Sequence, residues 1–118
     1  MLENYSFQMT IENVFAITGR GTVVVGCIER GIIKPNDKVD IVGNNKEPMR
    51  DVIVSGVETH HKLLDSATVG DNVCILLKGV ARSDVEVGNI LVIKNESNDN
   101  PAKVSALSEI MLKQIIGR

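Results

Sequence analysis

Hydrophobic and polar residues alternate along most of this chain, and that alternation predicts strands. Over residues 7–17, Phe7, Met9 and Ile11 fall on one face and Gln8, Thr10 and Glu12 on the other, running on through Val14-Phe15-Ala16-Ile17. One half-buried strand is expected there. Thr18-Gly19-Arg20-Gly21 predicts a turn, and Thr22–Glu29 a second strand, in which Gly26 marks a bulge or a close backbone approach. Ile32-Ile33-Lys34 leads into Pro35-Asn36-Asp37, a turn where proline fixes φ and Asn36 can take the left-handed conformation. Lys38–Val42 is a third strand, followed by an exposed hairpin loop over 43–48. Met49–Val57 alternates again and extends through Glu58-Thr59-His60-His61-Lys62. A polar link, Leu63–Asp71, precedes a strand at Asn72–Lys78, and Gly79–Gly88 connects to a last strand, Asn89–Lys94. Closely spaced turns with almost no helical period predict a small antiparallel barrel or sandwich.

The period changes after the polar linker Asn95-Glu96-Ser97-Asn98-Asp99-Asn100. Val104, Leu107, Met111 and Ile115 lie at helical spacing, with Asn100 as N-cap, Pro101 at the first helical position and Gly117 as a stop. The organisation expected is an N-terminal tail (1–6), a β domain (7–94), a linker (95–100) and an amphipathic helix (101–118). That helix would either cover an open side of the β domain, or form a homodimer contact or dock on a partner.

Composition narrows the class. At 118 residues the chain is one domain with a modest core, and with no Trp, one Tyr and two Phe that core is aliphatic. A net charge of −2 supplies no global positive field, so any RNA contact would be local and shape-based. Cys27 and Cys74 show neither CxxC nor Cys/His spacing, and two free thiols in a cytoplasmic protein are expected. The start Met1-Leu2-Glu3-Asn4 lacks signal-peptide character, and with the short tails it leads to the expectation of a complete protein. No apolar stretch approaches the roughly 20 residues of a membrane span, so no membrane partner is expected.

Candidate chemistry thins out on inspection. Gly26 and Gly31 have P-loop separation, but Ile32-Ile33 follows where Lys and Ser or Thr would be needed for phosphates and Mg²⁺. His60 and His61 would point to opposite faces of a strand, one of them buried or half-buried, and could not share a metal ion. Glu58, Asp65 and Asp71 are scattered too far for an acid/base pair to be argued. Cys27 and Cys74 read as small apolar filler. Arg20, Arg30, Lys34, Lys62, Lys78 and Arg82, near strand ends, read as a weak basic stripe or as solvated charge. No enzyme, metal or cofactor is expected.

Read together, Ile11 to Gly26 (IENVFAITGRGTVVVG) and Glu29 to Pro35 (ERGIIKP) closely resemble the second domain of elongation factor Tu and its archaeal and eukaryotic counterparts. The likeness continues at Val57-Glu58-Thr59-His60-His61, Val69-Gly70-Asp71-Asn72-Val73 and Asp84-Val85-Glu86-Val87-Gly88-Asn89, and covers about residues 7–94. The resemblance implies an all-β fold, a small closed antiparallel Greek-key β-barrel, here followed by the short C-terminal helix. In the parent factors this barrel sits beside a GTPase domain and helps hold the aminoacylated 3′ end of tRNA, and in relatives it contacts ribosomal RNA. By resemblance, a pocket for the terminal adenosine is formed by Ile17, Gly19, Val23, Leu76 and Glu58, and the aminoacyl side by Glu12, Asn13, Phe15, His60 and Asn72. An aliphatic slot suits a base face, and a carboxylate can accept from a 2′-hydroxyl. Ile17, Val23 and Leu76 would serve equally as barrel core.

Three departures stand out. Asn13 replaces the family's usual aspartate, Cys27 a common arginine, and Cys74 a common glycine, the last beside the implied pocket. The GTPase motifs are missing: Asn45-Lys46-Glu47-Pro48 has proline where guanine reading needs aspartate. The function expected is a non-catalytic module that binds RNA, a tRNA 3′ end or ribosomal RNA, or a translation-related protein partner. The alternative is a structural interaction module that dimerises through residues 101–118, its pocket vestigial.

Overall fold

Ten strands, every pairing antiparallel, account for most of residues 5–43 and 47–94, the parts of the chain that the computed structural model describes. They are β1 (Tyr5–Thr10), β2 (Asn13–Ile17), β3 (Gly21–Arg30), β4 (Ile32–Ile33), β5 (Lys38–Val42) and β6 (Met49–Thr59). β7 (Lys62–Leu63), β8 (Ala67–Thr68), β9 (Asn72–Leu77) and β10 (Ile90–Lys94) follow. Between β9 and β10 lies one 3₁₀ turn, Arg82–Asp84, and no helix among the described residues is long and apolar enough to cross a membrane. The polar linker and the helix expected at 95–118 lie outside the described residues.

Pairing runs from β1 through β10, β5, β6 and β9 to β3, and β3 returns to β1 through Gln8–Arg30 and Met9–Ile28. The six strands thus form a ring. Its interior holds Phe7, Met9, Ile28, Val39, Val54, Val57, Ile75, Leu77 and Leu91, all essentially without solvent contact. β4 and β8 form a separate ribbon in which Ile32 faces Thr68 and Ile33 faces Ala67. β8 corrects the polar link expected between Leu63 and Asp71, because Ala67 is buried in the core.

Residues 7–17 are two strands, not one. The Ile11 N–H donates to the Asn89 carbonyl at 2.8 Å, and the Glu12 N–H donates to the Val25 carbonyl at 2.7 Å. The chain changes neighbours at this step, from β10 to β3, and the inward phase slips by one residue. Phe7, Met9 and Ile11 are buried, and the next buried position is Val14. β1 and β2 consequently lie end to end along one side of β3.

The long strand expected to pass through His60-His61 stops at Thr59. Thr59 pairs with Lys62, and the two histidines between them form a tight hairpin with φ of 48° and 66°. Left-handed backbone at both central positions is the mark of a type I′ turn, whose twist matches the strands it joins. Both histidines are exposed, which overturns the expectation of one buried or half-buried and one exposed imidazole.

Two glycines carry opposite kinds of demand. In the turn Ile17-Thr18-Gly19-Arg20, the Arg20 N–H donates to the Ile17 carbonyl at 2.9 Å and Gly19 has φ of 82°, as a type II turn requires. A Cβ on Gly19 would meet nothing within 4 Å. Gly31 also has a left-handed φ, 80°, but a Cβ there would overlap the Ser6 carbonyl oxygen of the neighbouring strand. Gly19→Ala should therefore lower stability by about 1 kcal/mol, from backbone strain alone. Gly31→Ala should cost about 3 kcal/mol or more, because the backbones must separate. Urea midpoints of the two variants at unchanged m-value measure the difference.

Candidate functional site

Cross-strand register builds a patch on the outer surface of the ring. Across β2, β3, β9 and β6, Phe15 faces Val23, Val23 faces Leu76, and Leu76 faces Gly56. Two residues along the same face, Asn13, Val25, Cys74 and Glu58 make a second row. Side chains alternate between faces of a sheet, so Val24, Ile75 and Val57, one residue on, point into the core. Val23 and Leu76 are nevertheless buried, at 4% and 7% exposure, although they do not belong to that core cluster. They form the floor of an external cavity. The alternative that Val23 and Leu76 are interior packing is thereby resolved, and Ile17, 40% exposed, stands at the rim.

The cavity has a volume of about 310 Å³, within the usual range for a small-ligand pocket. Phe15, Ile17, Val23 and Leu76 form its apolar side. Glu58, Cys74 and Arg20 form a polar wall, and Thr59, His60 and His61 contribute the hairpin lip. Glu58 is the single carboxylate of the lining, and its carboxylate is ion-paired with the Arg20 guanidinium. The Glu58 side chain is 17% exposed while that of Arg20 is 42% exposed, so the carboxylate is the more withdrawn from water.

A second cavity, about 420 Å³, adjoins the first and shares Thr59 and His60 with it. Leu64, Ser66, Gly70, Asp71 and Asn72 complete its lining. The Thr59 hydroxyl, which donates to the Asn72 carbonyl at 3.0 Å and lies 3.3 Å from His60 Nδ1, joins the two. The Asp71 carboxylate accepts the Thr68 N–H at 2.9 Å and braces the turn below.

Of the residues singled out by resemblance, Ile17, Val23, Glu58, Leu76, Phe15 and His60 line the first cavity, and Asn72 lines the second. Gly19, Glu12 and Asn13 line neither. Gly19 shapes the turn that presents Arg20, and Glu12 is exposed at the step between β1 and β2. Asn13 opens β2, its side-chain oxygen accepting the Val14 N–H at 3.2 Å. Arg20, Thr59 and His61 are lining residues that the resemblance does not supply, and Cys74 enters only as a departure from a common glycine. Their signal is register: Glu58 opposite Cys74, and a two-residue turn directly after Thr59. Among the described residues no three His, Cys, Asp or Glu side chains cluster as metal ligands would.

Cys27 and Cys74 are both free thiols. Cys74 has its pKa raised, first by partial burial and next by the negative charge of Glu58, with Arg20 acting in the opposite direction. The thiolate is the alkylating nucleophile, so a raised pKa shifts its reaction to higher pH. Glu58→Gln should move the pH midpoint of Cys74 alkylation down, and Arg20→Gln should move it up. Iodoacetamide rates against pH, read by peptide mass in a Cys27→Ser background, measure both; equal midpoints in the two variants would refute the charge assignment.

Residues 21–92 match the family model of elongation factor Tu domain 2. The matched segment runs from β3 into β10 and contains Val23, Glu58, His60, Asn72, Cys74 and Leu76, whereas Phe15 and Ile17 precede it. Because the match covers more than half of the 118 residues, the chain belongs to the elongation factor Tu domain 2 family.

Proposed function

We propose that this protein is a non-catalytic translation-factor β-barrel module that holds the 3′ end of an RNA, with a tRNA end as the leading ligand. The observation that carries the reading is the external cavity, where an aliphatic floor and one carboxylate converge. Single-stranded RNA ends are recognised by apolar or aromatic surfaces for the unstacked base and by hydrogen bonds to base edges and the 2′-hydroxyl. Val23, Leu76 and Ile17 supply an apolar slot, and the half-exposed ring of Phe15 can stack against a base. Glu58 accepts from a ribose hydroxyl. The adjoining cavity, with Asn72, Ser66 and the shared Thr59 and His60, takes a group esterified to that ribose.

The 118-residue sequence offers no P-loop and no guanine-reading motif, so the module acts by binding and does not hydrolyse GTP. With a net charge of −2, recognition rests on the fit of one terminal nucleotide and not on a broad basic surface. Work alongside the translation machinery places it in the cytoplasm.

Titration of aminoacyl-tRNA, deacylated tRNA and a short CCA-ended RNA tests the reading at low salt, where phosphate contacts are strongest. All three should bind, the aminoacylated form most tightly. Glu58→Ala should weaken each by about tenfold or more, the scale of a hydrogen bond to a charged group. Absence of binding by any of the three would defeat the RNA reading and leave the exposed Phe15 and Ile17 as a surface for a protein partner.

A further inference from the structure

Arg20 already occupies the carboxylate that an RNA end would use. Its contact with Glu58 runs through Nη2 alone, and the guanidinium makes no other hydrogen bond among the described residues. The Glu58 carboxylate likewise accepts no hydrogen bond there besides that from Arg20. An arginine has five donors in a planar fork, so most of this one's capacity is unspent. The residue sits at the tip of the β2–β3 turn, between glycines with φ of 82° and 95°, and its side chain is 42% exposed. It is also the one permanently cationic group of the cavity lining. Lys62 follows His60 and His61 on the same hairpin but does not line the cavity.

We propose that Arg20 is an exchanging counter-ion: it neutralises Glu58 while the cavity is empty and passes to a phosphate of the RNA end as that end enters. This rests on the RNA-end reading above. A bare carboxylate at the mouth would repel a polyanion, whereas a paired one does not. A terminal nucleoside carries its hydroxyls and its 5′ phosphate on one sugar, so seating the base on Val23 and Leu76 brings hydroxyl donor and anion to the same wall. With Arg20 42% exposed and Glu58 still open to water at 17%, the ion pair contributes little by itself, and exchanging it for another partner costs little. In return, arginine gains a charge-assisted, bidentate contact with phosphate, and Glu58 is released to accept the hydroxyl. The exchange makes the cavity select a nucleoside linked to phosphate over a free nucleoside.

The test compares wild type, Arg20→Gln and Arg20→Lys, each titrated with a 5′-labelled CCA-ended RNA and with adenosine as competitor, over a salt series. Unfolding midpoints should stay close, because the pair lies at the surface and Arg20, the group removed, is 42% exposed. Arg20→Gln should weaken the RNA about tenfold and reduce the slope of log affinity against log salt by about 0.7, one phosphate on a single strand. Adenosine should bind the variant no more weakly than wild type. Arg20→Lys should keep the slope and lose part of the affinity. An unchanged slope in Arg20→Gln, or an equal loss for RNA and adenosine, would overturn the exchange while leaving the RNA-end reading intact. Failure of wild type to bind the RNA would overturn both.

Discussion

The register of β2, β3, β9 and β6 is the constraint on which everything else in this structure depends. Because successive side chains on a strand face opposite ways, a one-residue slip would turn Val24, Ile75 and Val57 outward and drive Glu58 toward the core. Burying that carboxylate without a partner would cost several kcal/mol. The apolar interior therefore fixes the outer surface as well. Phe15, Val23, Leu76 and Gly56 form a row outside the ring because their neighbours in sequence are needed inside it.

Placing a cavity outside a closed ring of strands has a physical logic. The interior of six short strands is filled by aliphatic side chains and leaves no room for a ligand. An external pocket needs walls, and here local backbone geometry supplies them. One wall is the β2–β3 turn that presents Arg20, and the other is the hairpin at His60-His61. Histidine is among the non-glycine residues that accept positive φ, though less readily than the Asn-Gly pair that such a turn prefers. The turn sets both imidazoles at the cavity lip.

How much of this could be read from the residues varies with the range of the forces involved. The turn at Pro35-Asn36-Asp37 was readable because its determinants are local: Asn36 has φ of 80°, and the Asp37 N–H donates to the Lys34 carbonyl at 3.1 Å. The step at Ile11–Glu12 was not, since its cause is a pair of hydrogen bonds to Asn89 and Val25, far along the chain. The histidine turn was hidden because alternation alone cannot separate a long strand from two strands joined by a two-residue loop. The cavity was readable in part. Family resemblance pointed to Val23, Glu58 and Leu76, but only the strand register shows that the two aliphatics face outward and are still buried. Arg20 read as a solvated charge, and nothing local to it reveals a partner 38 residues away.

Cys74 shows how the same register couples chemistry across the site. It stands directly opposite Glu58 on the neighbouring strand. A thiol there narrows the polar wall of the cavity and adds an apolar surface beside the carboxylate, which raises its own pKa through burial and through the charge of Glu58. Arg20, on the same wall, acts in the opposite direction, because its positive charge offsets that of Glu58 as seen from Cys74. The three groups therefore share one polar wall laid over an aliphatic floor, and the thiol registers the charges of the other two. On the RNA-end reading proposed above, discrimination among ligands would fall to that polar wall, while the floor of Val23 and Leu76 would offer an apolar surface common to every base.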